Sequence, residues 1–280
     1  MEIREITKQE TNGHNAWAWA PAAVTVPYPT VSVVVPALNE ADNLPHVLDR
    51  IPSWVHEVLL VDGHSIDGTP RITCELRPNA RIVNQAGRGK GVALRNGFAA
   101  ATGDIIVMLD ADGSTLPEEI PAFIGALLAG ADYAKGSRFL QGGGTADMPF
   151  HRRLGNWGFV MVVRVLFGGN FSDLLYGYNA FWRWIVPQLH LDATGFEIET
   201  QMNVRALRAG LKIAEVPSFE APRIHGEGRL QTLPDGWRVL KTVFRERFGR
   251  KSESMPSADV EEAAGEEMSC PVILGKGKPS

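Results

Sequence analysis

The stretch Asp104-Ile-Ile-Val-Met-Leu-Asp110-Ala-Asp112-Gly-Ser114 decides the fold. Its apolar run, Ile105–Leu109, has the length and composition of a buried strand. The run ends in two carboxylates and a glycine. If extended geometry persists through Asp112, residues two apart point the same way, and both carboxylates face one spot beyond the strand end. Two hard oxygen ligands with room left over suit Mg2+ or Mn2+ bound together with a substrate phosphate. The plainer alternative is a strand followed by a solvated Asp-Gly turn.

Working outward, the same alternation of short apolar runs and helical patterns repeats on both sides. Upstream, Val31–Val35, Glu57–Val61 and Arg81–Asn84 read as strands. Between them, Asp42 or Asn43 caps a helix through Ile51, and Thr69-Pro70 opens a second. The run Gly87-Arg-Gly-Lys90-Gly91 precedes a helical pattern through Ala101. Downstream, Pro117–Leu128 reads as a helix with Glu118 and Glu119 in its first turn, and Tyr133–Lys135 as a short strand. The order β-α-β-α-β-α-β-α-β predicts an α/β fold, a Rossmann-like and mostly parallel sheet with helices on both faces. In such a sheet the strand C-termini share one edge, where ligands bind. Asn39-Glu40, Asp62, and Asp110 with Asp112 all follow strand ends, so the topology gathers groups that the chain order scatters. Taken singly, Asn39 and Glu40 read as helix caps and Asp62-Gly63 as a turn. The Gly87–Gly91 run lacks Walker spacing; its uses are close backbone approach to a ligand or anion binding at the following helix start.

The remaining segments read less regularly. Leu140–Asp147 is a Gly-rich mobile loop. Leu154–Phe167 is a strongly apolar helix, read first as a buried core helix and second as a membrane contact. Ser172–Phe181 leads irregularly into a strand, Phe196–Ala209 is a helix stopped by Gly210, and Lys212–Val216 is a strand. Ala221–Arg229 is a basic loop before a last amphipathic helix, from Asp235 or Gly236 to Phe248. Three regions are expected: an extended leader over 1–30 carrying Trp17 and Trp19, one domain over 31–249, and a disordered tail over 250–280.

Bulk properties narrow the classes. The 280 residues are 44% hydrophobic and 21% charged, an ordinary globular balance that supports a sizeable core. A net charge of −4 gives no footprint for nucleic acid. Glu2, Arg4, Glu5, Lys8 and Glu10 break up any signal-peptide pattern, and no apolar run approaches the roughly 20 residues of a membrane span. The chain therefore reads as soluble or peripheral on a membrane. Cys74 and Cys270 are far apart in sequence, so no disulfide is expected and a reducing cytoplasm fits.

Four segments occur in a fixed order: Val33-Val-Val-Pro36-Ala-Leu38-Asn-Glu40, Val61-Asp62-Gly-His-Ser-Ile-Asp-Gly-Thr69, Gly89-Lys90-Gly91 and Asp110-Ala111-Asp112. In combination they resemble glycosyltransferase family 2, nucleotide-sugar enzymes with the GT-A fold. Gly136-Ser-Arg138-Phe139, Asp173–Tyr178, Phe196–Glu199 and Arg223–Arg229 resemble segments of the dolichyl- and polyprenyl-phosphate mannose or glucose synthases within it. Tyr176, Gly228, Arg229, Ser114 and Gly63 depart from that pattern.

The resemblance implies an inverting, metal-dependent transfer from a nucleotide-diphosphate sugar, GDP-mannose or UDP-glucose, to an acceptor such as a polyprenyl phosphate. It implies that Pro36, Leu38, Glu40, Asp62 and Ala111 surround the nucleotide, and that Asp110 and Asp112 hold Mg2+ or Mn2+. It further implies that Arg138, Arg223 and Arg229 hold phosphates, with Lys90 and Arg229 assisting the leaving group. A hydroxyl acceptor needs a carboxylate base, for which Asp173, Glu197 and Glu199 are candidates. Competing readings are a soluble transferase acting on a metabolite or natural product, a nucleotidyltransferase, and a non-catalytic nucleotide-sugar binding protein.

Overall fold

Strands and helices alternate as the apolar periodicity predicts. The computed structural model describes residues 28–146, 148–228, 232–249 and 267–270. The first half comprises β1 (Val31–Ala37), α1 (Leu44–Leu48), β2 (Glu57–Asp62), α2 (Thr69–Leu76), β3 (Arg81–Asn84), α3 (Lys90–Ala100) and β4 (Ile105–Met108). A short 3-10 turn then leads into α4 (Ile120–Leu128) and β5 (Tyr133–Ser137). Next come β6 (Gly144–Thr145), α5 (Phe150–Phe167), β7 (Asn179–Trp182), α6 (Val186–Leu189) and α7 (Ile198–Arg208). The chain continues through β8 (Ile213–Pro217), β9 (Phe219–Glu220), α8 (Thr232–Phe248) and β10 (Glu267–Ser269).

The main sheet has eight strands in the order β10-β3-β2-β1-β4-β7-β5-β8. Only β7 and β10 run against the others. β1 lies at the centre, parallel to β2 on one side and β4 on the other. Its side chains alternate between two cores. Val33 and Val35 pack with Leu44, Leu48, Phe123 and Tyr178 on one face. Val34 packs with Leu94, Phe98, Ile106 and Met202 on the other. This double burial explains why β1 and β2 read as continuous apolar runs.

At the sheet edge opposite the strand C-termini, Glu57 ties several strands together. It accepts from Ser32 Oγ at 2.5 Å, Thr102 N at 2.6 Å and Thr102 Oγ1 at 2.8 Å, and it pairs with Arg81. Burial alone would raise its carboxyl pKa. These donors outweigh burial and bring it down to about 2.

Four expectations need correction. First, Cys74 on α2 and Cys270 form a disulfide, with their Cα atoms 5.2 Å apart. Sequence distance did not bear on this, because β10 lies antiparallel along β3 and carries Cys270 back to α2. The cysteines therefore give no support to a reducing compartment. Second, residues 267–270 are ordered by that strand and bond; the rest of the expected disordered tail lies outside the described residues, as do residues 1–27 of the expected leader. Third, the Gly-rich loop is anchored, because Gly144 and Thr145 pair with Phe219 and Glu220 in a small second sheet. Fourth, α5 is not a core helix: only Asn156 and Val163 along it are fully buried. It contributes to a third cluster, with Phe171, Val204 and Val243, outside the main sheet layers. Among the described residues no helix is long and apolar enough to cross a membrane.

Two stability outcomes follow. Glu57→Gln should lower unfolding free energy by about 2 kcal/mol at neutral pH in urea titrations. A depressed carboxyl pKa stabilises above the unfolded value of 4.5 and loses that contribution as pH falls toward 2, so the difference from the parent chain should shrink progressively below pH 4.5. Thiol titration of the denatured, unreduced chain should find no free cysteine, and Cys270→Ser should lower unfolding free energy by about 2–4 kcal/mol. Two free thiols would contradict the bond.

Candidate active site

Three adjacent strands deliver polar residues to one edge. Ala37 pairs with Asp62 across β1 and β2, and Val34 pairs with Met108 across β1 and β4. Pro36–Glu40, Asp62 and Asp110–Asp112 therefore leave the sheet side by side. The loops after β1 and β2 are stitched to each other. Asn39 takes a left-handed φ of +50°, which Asn tolerates better than most residues. Its Oδ1 accepts from Ile66 N at 2.8 Å, and its own N–H donates to Ser65 Oγ at 2.8 Å. Glu40 N donates to Thr69 Oγ1, and the Asp62 carboxylate accepts from Ser65 N at 3.1 Å. Pro36 is half-buried and Ala111 buried, whereas Leu38 is exposed on the loop crest.

The extended geometry does not persist through Asp112. β4 ends at Met108, and the chain turns at Ala111-Asp112. The two aspartates consequently take different partners. Asp110 Oδ1 lies 2.7 Å from Lys90 Nζ, which also donates to Glu199 Oε1 at 2.7 Å. Burial by itself would lower the Lys90 pKa, but the two carboxylates hold it well above the lysine range. Burial, with the like charge of Asp110, pushes the Glu199 carboxyl up against the pull of Lys90. Gly177 completes this corner: a Cβ there would sit 2.8 Å from Glu199 Oε1 and 3.0 Å from Asp110 Oδ2.

Asp112 instead accepts from Ser114 N at 3.0 Å and Ser114 Oγ at 2.6 Å, and pairs with Arg223 at 3.3 Å. Arg223 also grips Glu40 at 2.6 and 2.7 Å. The loop after β9 is thereby folded over the site, and Asn43 fixes it further by accepting from His225 N at 2.8 Å. Arg229 lies outside the described residues.

Gly89 and Gly91 pack against the protein's own backbone. Gly91 N donates to Thr194 O at 3.0 Å, and a Cβ on Gly91 would collide with the backbone at Ala193 and Thr194. The close approach that the glycines permit is to the segment leading into α7, which is how Lys90 reaches Glu199.

Arg138 is also committed to carboxylates. It is buried, bonded to Asp173 at 2.7 and 3.0 Å and to Glu220 at 2.9 Å. Burial would raise the Asp173 carboxyl pKa, but Arg138 holds it below the usual range. Among the three candidate bases, Asp173 is fully buried in this pair and Glu199 is bound to Lys90. Glu197 uses Oε1 to accept from Gly195 N at 3.0 Å, while its Oε2 is buried without a hydrogen-bond partner among the described residues.

A groove of about 310 Å³ opens beside Phe139 and Ser172, between them and α5. Arg153, Trp157, Met161 and Arg164 line its α5 side. Sequence reading missed these arginines, because Arg164 registered only as an interruption of an apolar run. The available signal was the pairing of arginines with aromatic residues on one helix.

Among the described residues no group of three or more His, Cys, Asp or Glu side chains is arranged to hold a metal ion. Asp110 and Asp112 still fit a hard divalent ion. Their side chains are 26% and 25% exposed, and Mg2+ commonly uses one or two carboxylates, with phosphate and water completing its shell.

Lys90→Met should leave Glu199 buried against Asp110 with no cation between them. A loss of about 3–5 kcal/mol in unfolding free energy is expected, read by denaturant titration.

Residues 32–185 match the family described as Glycosyl transferase family 2. The chain is 33% identical over 210 residues to a dolichol-phosphate mannosyltransferase of Pyrococcus furiosus, covering 72% of this chain and 59% of that protein. It thus spans about three fifths of that relative's length. It is 32% identical over 212 residues to an undecaprenyl-phosphate mannosyltransferase of Micrococcus luteus, covering 71% of this chain and 87% of that one. It is also 32% identical to a polyprenol monophosphomannose synthase of Mycolicibacterium smegmatis, covering 76% and 84%. Among solved structures, glucosyl-3-phosphoglycerate synthase from Mycobacterium tuberculosis, in complex with Mn2+, UDP and glucosyl-3-phosphoglycerate, superposes with a TM-score of 0.63. It is 27% identical, covering 80% of this chain and 82% of that one. These likenesses do not favour a nucleotidyltransferase or a purely binding role. The family match takes in more than half of the residues, and the ordered strand-end motifs fall within it; the chain belongs to glycosyl transferase family 2.

Proposed function

We propose that the chain transfers a hexose from a nucleotide-diphosphate sugar to a polyprenyl phosphate, with inversion at the anomeric carbon. The observation that carries this reading is the position of Asp110 and Asp112. They stand at the open edge of β4 beside Glu40, Asp62 and Arg223. A separate groove beside Phe139 and Ser172 combines arginines with apolar side chains. GDP-mannose and UDP-glucose are the donors proposed. Pro36, Leu38, Glu40, Asp62 and Ala111 would border the nucleoside. Asp110 and Asp112 would hold Mg2+ or Mn2+, which when bound neutralises charge on the diphosphate leaving group.

The protein's own residues then divide the work. Lys90 orients Asp110 through their ion pair. Arg223 pairs with both Glu40 and Asp112, so it can exchange a carboxylate for a donor phosphate at little displacement. Arg229 is retained as a phosphate contact on the strength of the family resemblance. Glu197 Oε2, buried and without a partner among the described residues, is suited to accept from a sugar hydroxyl. A lipid monophosphate is anionic at neutral pH and needs positioning more than a strong base. Arg153 and Arg164 offer that positioning in the groove, while Arg138 braces the groove wall through Asp173.

A second reading is transfer to a small phosphorylated acceptor. It is favoured by the structural likeness to glucosyl-3-phosphoglycerate synthase. The two readings separate in one assay. Nucleoside diphosphate release from GDP-mannose and UDP-glucose, with Mg2+ or Mn2+, is measured against a polyprenyl phosphate and against 3-phosphoglycerate. Turnover with the lipid alone is expected. Asp112→Asn should reduce turnover by at least about 100-fold and weaken Mn2+ binding measured by calorimetry. Unchanged turnover and Mn2+ binding in that variant would remove the metal assignment.

A further inference from the structure

α5 and α8 are surface helices whose exposed residues follow a pattern that core packing does not explain. On α5, Phe150, Leu154, Trp157, Met161 and Val165 are 78%, 55%, 61%, 37% and 78% exposed. At 100° per residue these positions fall within one narrow stripe. On α8, Leu233, Trp237, Phe244 and Phe248 are 84%, 68%, 45% and 70% exposed, and they repeat the same spacing. The two helices pack together, with Val163 and Val243 buried in one cluster and Phe159 against Gly236. The outward aromatic and aliphatic residues thus belong to one helical pair, and isolated apolar exposures would need no such order.

The charges on this pair are one-sided. The exposed charged residues of α5 are Arg152, Arg153 and Arg164, and it carries no acidic residue. Those of α8 are Arg238, Lys241, Arg245 and Arg247; Arg238 pairs with Asp235 and Arg245 with Asp192, and Lys241 and Arg247 make the stronger claim on an outside anion. The acidic residues of α8, Asp235 and Glu246, are buried, and Glu246 is neutralised by Arg205 and Arg208. A basic, aromatic-rich face on a chain of net charge −4 is complementary to an anionic surface with an apolar interior. The stripe also borders the groove, since Trp157 and Met161 belong to both, and Arg153 and Arg164 line the groove beside them.

We propose that the exposed faces of α5 and α8 form a docking surface for an anionic lipid bilayer, seating both helices in the headgroup region. This deepens the lipid-acceptor reading and rests on it, because the groove then opens at the depth where a polyprenyl phosphate presents its headgroup. Trp and Phe side chains supply the apolar anchor, and each Lys or Arg near an anionic leaflet strengthens partition by about fivefold at low salt.

The test is flotation of the full chain with vesicles of phosphatidylcholine alone and of phosphatidylcholine with one-quarter phosphatidylglycerol, without donor or acceptor. Binding to the anionic vesicles is expected, weakened at least tenfold by 0.5 M salt and at least tenfold on neutral vesicles. Trp237→Glu with Phe248→Glu should abolish flotation. Both positions are largely exposed, so the melting temperature should stay within a few degrees. Lys241→Glu with Arg247→Glu should weaken anionic binding at least tenfold and remove most of its salt dependence. Failure of the parent chain to float at low salt, or unchanged flotation of Trp237→Glu with Phe248→Glu, overturns the proposal. So does a parent chain that self-associates through this face, with the dimer lost in that variant and no vesicle binding in either. The assay involves no turnover, so a chain that floats yet glycosylates only 3-phosphoglycerate would defeat the acceptor reading and leave the docking surface standing.

Discussion

The Lys90 ammonium joins the two halves of this molecule. It lies at the start of α3 and holds Asp110 from the end of β4 and Glu199 from α7. A buried cation between two carboxylates is stable only if geometry satisfies all three, because each group alone would pay a large desolvation penalty. The surrounding backbone is shaped to that end. Gly91 lets α3 meet the 193–195 segment, and Gly177 leaves room for Glu199 and Asp110 to approach the same nitrogen. The orientation of Asp110, and so the chemistry at the sheet edge, depends on this buried contact.

Charge pairing recurs through the site with a different purpose in each place. Arg138 is sealed between Asp173 and Glu220 and connects the end of β5 to the segment before β7 and to β9. That pair is structural: both Arg138 and Asp173 are buried. Arg223 is less enclosed and spans Glu40 and Asp112, drawing its loop across the site. Glu40 and Asp112 come from different strand ends, so Arg223 reads the distance between them. The α5 arginines form a third group, placed on an exposed face beside aromatic side chains. A buried pair, a loop-spanning pair and an exposed group are thus built from cations that composition alone treats alike.

Much of the fold was legible because local pattern and tertiary role agree. Val31–Val35, Glu57–Val61 and Ile105–Leu109 are apolar runs, and the structure buries them on both sheet faces. β7 was harder to place, since an antiparallel strand inserted between β4 and β5 leaves no periodic signature of its neighbours. β10 and the Cys74–Cys270 bond were not legible at all. A three-residue strand in a polar tail has no local pattern, and 196 residues of separation conceal a 5.2 Å approach. The helix α5 was misread for a different reason. Apolar content measures what can be buried, and it does not say whether the partner is the protein's own core.

The sequence by itself determined the mostly parallel α/β sheet, the edge at which Glu40, Asp62, Asp110 and Asp112 collect, and the family. Those conclusions follow from strand length, alternation and motif order, which are local properties carried along the chain. Only the tertiary structure decided which charges meet. It turned Asp110 toward Lys90 and Asp112 toward Arg223, spent Arg138 on Asp173, left Glu197 Oε2 without a partner among the described residues, and exposed the apolar stripe of α5. The physical reason is range: side-chain electrostatics act over a few ångströms in space, and residues far apart in sequence reach that distance only after the sheet has formed.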